Sequence, residues 1–305
     1  MQKLVRLFER PQSEDMVMIA GWRQWADAGA VSSGLLTYLI DTLKARKIGE
    51  IASDEFFLFQ TPVSQFLFRP HMKFEEGYRK SLVGPRSEVF FWGNERKGLV
   101  LFLGDEPQMR VERYAEAFFD LVQQLNVRRV AATGGVYAAV PYDKERAFSC
   151  TYSLPRMKEE LSEYAVTFSN YEGGVSIGSY LNDLAERRDI EYFTLYAFVP
   201  AYDLSQIIHQ PHNIALDQDY KAWYDLMVRL NHMFRLGLDL SDLQQRSEAM
   251  IEAIRKNIDE LSEKLPNVPL KEYLARLTAD FVEKPFTKLD EVWEHALEDV
   301  LKDLE

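Results

Sequence analysis

The stretch 16–46, MVMIAGWRQWADAGAVSSGLLTYLIDTLKAR, decides the fold of this chain. Its first five residues, 16–20, form a short apolar run that predicts a strand buried on both faces, and Gly21 is predicted to end that strand. Residues 28–46 predict a helix, because apolar side chains recur at every fourth position on one face: Val31, Leu35, Leu39 and Leu43.

The connecting loop 21–29, GWRQWADAG, holds the residues that shape this unit. Asp27 lies where a side-chain cap of the following helix would lie, and Gly29 allows close backbone approach. A buried strand that feeds a helix through a glycine-bearing turn is the opening unit of an α/β fold. In such folds a ligand site, where there is one, lies in the loops that follow the C-terminal ends of the strands.

Further strands followed by glycines occur along the chain. Residues 127–133 predict a buried strand that ends at a Gly-Gly pair, and residues 164–169 predict a strand that precedes a second Gly-Gly pair and a helix. A last strong strand, 190–199, is predicted to end at Pro200. Alternating β and α units predict a mostly parallel or mixed sheet that is covered by helices on both faces.

The pattern changes after Pro211, where we predict helices and no further strand. Ser241 fits the start of a capping box. The three-four spacing of the apolar residues fits helix packing within one chain or an intermolecular coiled coil. We therefore predict an α/β domain over 1–237 and a helical appendage over 238–305, with helices in the segments 213–236, 241–265, 270–281 and 288–301.

The composition narrows the function classes. The 305 residues carry a net charge of −12, which disfavours nucleic acid and anionic membranes as partners. Cys150 is the single cysteine, so intramolecular disulfides and thiolate-rich metal sites are excluded. We find no apolar region typical of a signal peptide and no run of about 18 apolar residues, so we expect a cytoplasmic protein.

Glycines and acidic residues near the predicted strand ends are the candidate ligand site. Backbone N–H groups there would hold a phosphate or carboxylate, or the glycines would only form tight turns. Neither common glycine motif for phosphate binding is present, and a basic partner would have to come from Arg69, Arg79 or Arg110. The candidate ligand-binding residues are Gly21, Asp27, Gly29, Gly134, Gly135, Glu172, Gly173 and Gly174.

No catalytic or metal-binding set emerges from the sequence. Several acidic residues lie near predicted strand ends: Asp27, Asp54, Glu55, Asp105, Glu106 and Glu172. Two of these carboxylates, if they converge, would bind magnesium or act as acid and base. With 48 acidic residues in the chain, such placements also arise by chance. His209 and His212 form a close pair, but a zinc site would need a third ligand. We nominate no catalytic residue, no metal ligand and no cofactor.

Several stretches resemble, in the same order, the proteasome assembly chaperone 2 family. They are GWRQWADAG at 21–29, SDEFFLFQ at 53–60, LFLGDEPQMR at 101–110, TGGVYAAVPYDK at 133–144 and YEGGVSIGSYLNDLAERRDIEYFTLYAFVPAY at 171–202. The resemblance implies a three-layer α/β/α fold related to nucleoside phosphorylases, with C-terminal helices and self-association, commonly as a trimer. It also implies an assembly or chaperone role, although some prokaryotic members are labelled by analogy as ATP-grasp ligases.

The chain departs from that family pattern in two places. Residues 23–26 lengthen the first loop, and the sequence ends in VLKDLE rather than in the hydrophobic-Tyr-any tail by which some proteasome chaperones dock. We therefore do not expect docking to a proteasome through the tail.

Two functional hypotheses follow. The first is a non-catalytic, self-assembling protein that contacts a protein partner, for which the phenylalanine-rich stretch 56–68 is either a buried core or an aromatic partner surface. The second is an enzyme or sensor that binds a nucleotide-like or nucleoside-like molecule at the strand ends. A deep pocket where 21–29, 133–136 and 171–175 converge would favour the second hypothesis, and a flat face with packed aromatic residues the first.

Overall fold

The computed structural model describes residues 4–53, 55–59, 69–203, 213–264, 266 and 268–286. They form twelve strands and seven α-helices. The strands are β1 Val5–Leu7, β2 Asp15–Arg23, β3 Arg46–Ile51, β4 His71–Glu75, β5 Tyr78–Val83, β6 Ser87–Gly93, β7 Lys97–Asp105, β8 Arg129–Ala138, β9 Phe148–Tyr152, β10 Val166–Phe168, β11 Glu191–Asp203 and β12 Asn213–Ala215. The helices are α1 Ser33–Leu43, α2 Val111–Gln124, α3 Lys158–Ser162, α4 Ile177–Arg187, α5 Tyr220–Phe234, α6 Ser241–Lys264 and α7 Leu270–Ala279.

Nine strands form the main sheet in the order β1-β3-β6-β7-β2-β8-β11-β9-β10, and β12 pairs beside β11. The four central strands β7, β2, β8 and β11 are parallel, while β6 and β9 run antiparallel to their central neighbours. The sheet is therefore mixed, with a parallel centre. Strands β4 and β5 form a separate two-stranded hairpin.

Helices cover both faces of the sheet, as the alternating pattern predicts. Successive side chains of β2 point to opposite faces, so Val17 and Ile19 pack with α1 and α5, while Met16 and Met18 pack with α2 and α4. Seven consecutive residues of β2 are buried, as expected for a strand that is covered on both faces. The three layers expected from the sequence are thus present.

The C-terminal helices pack within the chain. Helix α6 lies against α5, and Leu243 near its start is fully buried. Leu270 and Leu274 of α7 pack on Tyr202 of β11 in a small cluster of their own. Within the described residues, we find no helix that combines the length and the apolar character needed to span a membrane.

Two predicted strand ends are wrong because pairing continues past the residue that was expected to break the strand. Strand β2 does not end at Gly21 but runs to Arg23, since β7 pairs with it as far as Asp105. Strand β11 continues through Pro200 to Asp203. Pro200 is the last residue of β11 in register with β8, opposite Ala138. On its other side it lies between the segments that pair with β9 and with β12, so its missing N–H interrupts neither of these two ladders.

The C-terminal region also differs from the prediction. A short strand, β12, follows residue 211 and pairs with the end of β11. Helix α5 begins at Tyr220, not at residue 213, because Asp219 caps it by accepting the N–H of Ala222 at 3.0 Å. Predictions made for His209, His212, residues 60–68 and residues 288–301 lie outside the described residues.

Candidate functional site

The C-terminal ends of the parallel strands meet at one edge of the sheet, where the chain leaves two neighbouring strands in opposite directions. After β2 the chain enters α1 on one face, and after β7 it enters α2 on the other. Arg23 and Asp105, the last residues of these strands, are paired in register. In open α/β sheets such a switch point creates the crevice that ligands use.

A loop fills much of this crevice. Strands β2 and β8 pair only from Val17 and Arg129 to Ala20 and Ala132. Beyond that point the loop after β2 turns back along β8, and the N–H of Gly135 donates to the carbonyl of Ala26 at 2.9 Å.

Glycine at 135 is required by that close approach. A Cβ there would lie 2.1 Å from the carbonyl oxygen of Ala28. Asp27 forms an isolated parallel bridge with Gly135, so the two segments are directly adjacent. The predicted Gly-Gly turn is therefore wrong: Gly134 and Gly135 lie inside β8, which continues to Ala138.

Asp27 caps helix α1, and this helix begins about one turn later than the sequence predicts. The helix begins at Ser33 because Gly29, with φ of +60°, interrupts the helical backbone. The Oδ1 atom of Asp27 accepts the N–H groups of Ser32 and Ser33 at 2.9 Å each, and the Ser33 hydroxyl donates to Oδ2 at 2.5 Å. Burial raises the pKa of Asp27, while these hydrogen bonds oppose the rise. The carboxylate thus serves the helix N-terminus.

Gly21 and Gly29 allow the loop after β2 to pack closely against its neighbours. A Cβ on Gly21 would lie 2.1 Å from the Ser32 carbonyl oxygen. The Gly29 carbonyl accepts the Trp223 indole N–H at 3.0 Å and the Asp219 N–H at 2.9 Å. These contacts fix the loop between the sheet and α5.

The other predicted site residues lie on a different loop. Glu172, Gly173 and Gly174 are exposed in the segment before α4, where the Tyr171 hydroxyl donates to the Gly174 carbonyl at 3.1 Å. A Cβ on Gly174 would meet nothing within 4 Å. The structure therefore brings Gly21, Asp27, Gly29, Gly134 and Gly135 together, and it places Glu172, Gly173 and Gly174 on a separate exposed loop.

The structure does not place the three arginines considered for phosphate binding beside the candidate glycines. Arg110 precedes α2 and pairs with Glu55 at 2.7 Å. Arg79 lies on the exposed strand β5, and the guanidinium of Arg69 lies 5.3 Å from the ring centre of Phe59.

A small polar cavity lies beneath the loop, and the sequence did not single out its full lining. Its volume is about 10 Å³, which is room for about one water molecule. It is lined by Trp22, Ala26, Ser32, Glu106, Thr133, Ser176, Ile177, Gly178 and Tyr196. Among the acidic residues near predicted strand ends, Glu106 lines this cavity. The hydroxyl groups of Thr133, Ser176 and Tyr196 lie in the family-like stretches, but no sequence pattern indicates that they meet.

Glu106 joins two loops across this cavity. Its Oε1 accepts the N–H of Ile177 at 2.7 Å, at the start of α4, and its Oε2 accepts the N–H of Trp25 at 3.3 Å. Burial raises the pKa of Glu106, against the effect of both N–H donors. The neighbouring Asp105 accepts the N–H of Arg86 at 2.8 Å and pairs with Arg23 at 3.4 Å. The two carboxylates therefore have separate partners instead of sharing one site.

Tyr196 completes the polar cluster. Its hydroxyl lies 2.8 Å from the Ser176 Oγ and 2.7 Å from the Ser179 Oγ. Burial raises the pKa of Tyr196. The hydroxyl is therefore a neutral hydrogen-bonding group that holds the start of α4 to β11.

An open hollow lies on the outer side of the same loop. Its volume is about 330 Å³, and it is lined by Gln24, Trp25, Asp27, Ala28, Gly135, Val136 and Tyr137. Trp25 is 73% exposed and Tyr137 is 51% exposed. We call these two side chains the aromatic rim. Large exposed aromatic groups at one place are typical of contact surfaces.

The described residues contain no group of three His, Cys, Asp or Glu side chains that could hold a metal ion. Cys150 is buried, and burial raises the pKa of its thiol to about 12. It is therefore not an activated nucleophile.

Comparison with known proteins identifies the family. The sequence model of the PAC2 family matches residues 22–258. The chain belongs to the PAC2 family. This confirms the resemblance to proteasome assembly chaperones that the ordered motifs indicate. No curated protein sequence matches the chain significantly.

Solved structures share the PAC2 fold at low sequence identity. A PAC2 family protein from Streptomyces avermitilis is 22% identical, with a TM-score of 0.68 over 85% of this chain and 99% of that chain. A proteasome-assembly chaperone homologue from Mycobacterium tuberculosis is 22% identical, with a TM-score of 0.70 over 85% and 100%. The Pyrococcus furiosus proteasome activator PbaB is 19% identical, with a TM-score of 0.59 over 83% and 97%.

Proposed function

We propose that this chain is a non-catalytic, self-assembling protein of the cytoplasm that acts through protein–protein contacts, in the manner of proteasome assembly chaperones. The observation that carries the proposal is the filled crevice at the strand ends. Asp27 and Glu106 direct their carboxylates at backbone N–H groups of this chain, and the cavity between the loops has a volume of only about 10 Å³.

The outer surface of the same loop supports a contact role. Trp25 and Tyr137 expose their rings beside an open hollow, where a partner side chain would bury them. Family membership supports the class of partner, because structures with this fold include a proteasome-assembly chaperone homologue and an archaeal proteasome activator. The family resemblance also favours a homo-oligomer, with a trimer as the expected form.

A mass measurement tests this proposal together with a binding measurement. Light scattering of the purified chain should give a stable mass of three protomers. Binding to proteasome α-subunits from the same organism, followed by calorimetry, should weaken at least tenfold in the double variant Trp25→Ser/Tyr137→Ser. The exposed double variant Phe8→Ser/Val282→Ser is the matched control. A monomeric chain that binds no α-subunit would contradict the proposal.

The open hollow also favours a second candidate function. Its volume of about 330 Å³ lies within the range of small-molecule pockets, and two aromatic rings border it. A phosphorylase-like relationship of the fold would place a nucleoside at this edge of the sheet. Thermal unfolding with nucleosides, nucleotides and phosphate tests this candidate, since saturation at 100 times Kd adds about 2.7 kcal/mol. A shift that Trp25→Ala abolishes would favour the sensor or enzyme.

A further inference from the structure

The hairpin of β4 and β5, residues 71–83, is a second surface that the candidate site does not include. We call it the arm. Every residue of both strands is exposed, and the strands pair with each other apart from the main sheet. A two-stranded hairpin on its own is marginally stable in water, so an arm of this kind gains stability when another surface covers it.

One face of the arm carries three exposed apolar side chains. Met72 lies directly opposite Leu82, and Phe74, two residues farther along on the same side of β4, lies opposite Arg79 across a β-bulge. Their exposed fractions are 40%, 49% and 60%. On the other face Lys73 lies opposite Ser81. Val83 and Tyr78, opposite His71 and Glu75, lie on that second face and are 44% and 74% exposed. The arm therefore exposes large apolar side chains on both faces, which is typical of a contact surface.

The arm carries a small net positive charge, which its flanks increase, whereas the chain as a whole is acidic. The arm with its flanks, residues 69–86, carries five Lys and Arg residues against two Glu, in a chain with a net charge of −12. The rest of the chain is therefore more acidic than the whole. An arm of this charge is attracted to the body of another copy and is repelled by another arm.

We propose that the arm of one copy docks through Met72, Phe74 and Leu82 on the acidic body of a second copy. This inference rests on the self-assembly in the proposed function and names its surface. Because like-charged arms disfavour a symmetric arm-to-arm contact, the interface joins two different surfaces. Contacts of that type close into rings of three or more copies when the rotation permits.

Light scattering of the full-length chain tests the arm directly. The triple variant Met72→Ser/Phe74→Ser/Leu82→Ser should lose the oligomer and give the mass of one protomer. The control Phe8→Ser/Val282→Ser removes exposed apolar groups elsewhere and should keep the wild-type mass. Circular dichroism and thermal unfolding of each variant show whether the main sheet has folded.

Each mass outcome bears on one proposal or on both. A wild-type oligomer with a monomeric triple variant supports the arm contact. An oligomer that persists in the triple variant overturns the arm contact and leaves the proposed self-assembly standing. A monomeric wild-type chain overturns both. The variant Lys73→Glu/Arg79→Glu/Lys80→Glu should weaken the oligomer at least tenfold, and about 1 M salt should weaken the wild-type oligomer.

Zero-length coupling of lysines to carboxylates identifies the docking geometry. In a mixture of unlabelled and ¹⁵N-labelled chains, Lys73 and Lys80 should couple between copies to acidic residues outside 69–86. Coupling between copies confined to Glu75 and Glu76 of the other arm would overturn the proposed geometry. The variant Lys73→Arg/Lys80→Arg keeps the charge but should lose these cross-links.

Discussion

Arg146 and Asp219 form a buried, two-pronged ion pair beside the loop that follows β2. The Nε atom of Arg146 lies 2.8 Å from Oδ2 of Asp219, and Nη2 lies 3.2 Å from Oδ1. Their side chains are 1% and 0% exposed. Asp219 also caps α5, while Arg146 donates to the carbonyls of Pro141, Tyr142 and Lys144.

Removal of this carboxylate should strongly destabilise the protein. Asp219→Ala leaves the Arg146 charge buried without its partner, which costs about 3–5 kcal/mol. The free energy of unfolding in urea measures the loss. Asp217→Ala, at an exposed position two residues earlier, should stay within about 0.5 kcal/mol of the wild type. Equal losses in the two variants would contradict the role of the ion pair.

Gly135 and Gly174 should differ sharply in how well they tolerate substitution by alanine. Gly135→Ala forces a Cβ to within 2.1 Å of the Ala28 carbonyl oxygen, so the loop must shift and the variant should lose about 1–3 kcal/mol. Gly174→Ala meets open space and should change stability by less than about 0.5 kcal/mol. Thermal unfolding of both variants provides the comparison, and a well-tolerated Gly135→Ala would show that the loop yields.

The cap formed by Asp27 should contribute measurably to stability. Asp27→Ala removes the acceptor for the N–H groups of Ser32 and Ser33 and should cost about 1–2 kcal/mol. Asp27→Asn keeps an acceptor oxygen and should recover part of the loss. Chemical denaturation at neutral pH measures both variants. A ligand role alone would instead leave the stability of Asp27→Ala unchanged.

Glu106 should make stability depend on pH in a defined direction. Burial raises its folded-state pKa above the ordinary value of 4.5, so over the range above 4.5 the folded chain holds a proton that the unfolded chain has lost. Its contribution to stability therefore falls as the pH rises through that range.

A neutral replacement tests this direction. Glu106→Gln should gain stability relative to the wild type as the pH rises from about 4 toward 7, since its amide oxygen still accepts the N–H of Ile177. Glu106→Ala leaves that N–H unpaired and should be less stable at every pH. Denaturation curves across the pH range give both differences. A stability difference between Glu106→Gln and the wild type that does not vary with pH would exclude a raised pKa.

Cys150 should react slowly in the folded protein. Burial raises the pKa of its thiol to about 12, so little thiolate forms at pH 8 and the sulfur is covered. Labelling with a chromogenic disulfide should be roughly a hundredfold slower than in denaturant. Equal rates in the two conditions would show that the sulfur is accessible.

Local patterns predicted the elements whose neighbours are close in sequence. The apolar spacing of residues 31–43 predicted α1, and the run at 16–20 predicted the centre of β2, because both patterns follow from burial. Strand ends were missed at Gly21 and Pro200, since pairing with β7 and with β12 extends these strands past a residue that breaks a strand in isolation. Local propensity contains no information about that neighbour.

The candidate site depends on contacts between residues far apart in sequence, and no local sequence pattern predicts such contacts. Asp27 was identified as a cap because its partners follow within six residues. Glu106 accepts the N–H of Ile177, which is 71 residues away in sequence, and Arg146 pairs with Asp219, which is 73 residues away. These pairs are set by the order of strands in the sheet. A buried ion pair between separate segments therefore emerges only when the topology is known.

The hydrogen bonds that Trp223 and Asp219 donate to the Gly29 carbonyl determine when the loop after β2 can fold during synthesis. Trp223 donates to the Gly29 carbonyl across 194 residues of sequence, and Asp219 holds the same oxygen. During synthesis the loop that displays Trp25 therefore cannot take its final shape until α5 has left the ribosome. The aromatic rim of Trp25 and Tyr137 should therefore reach its final arrangement only on chains that extend past Trp223.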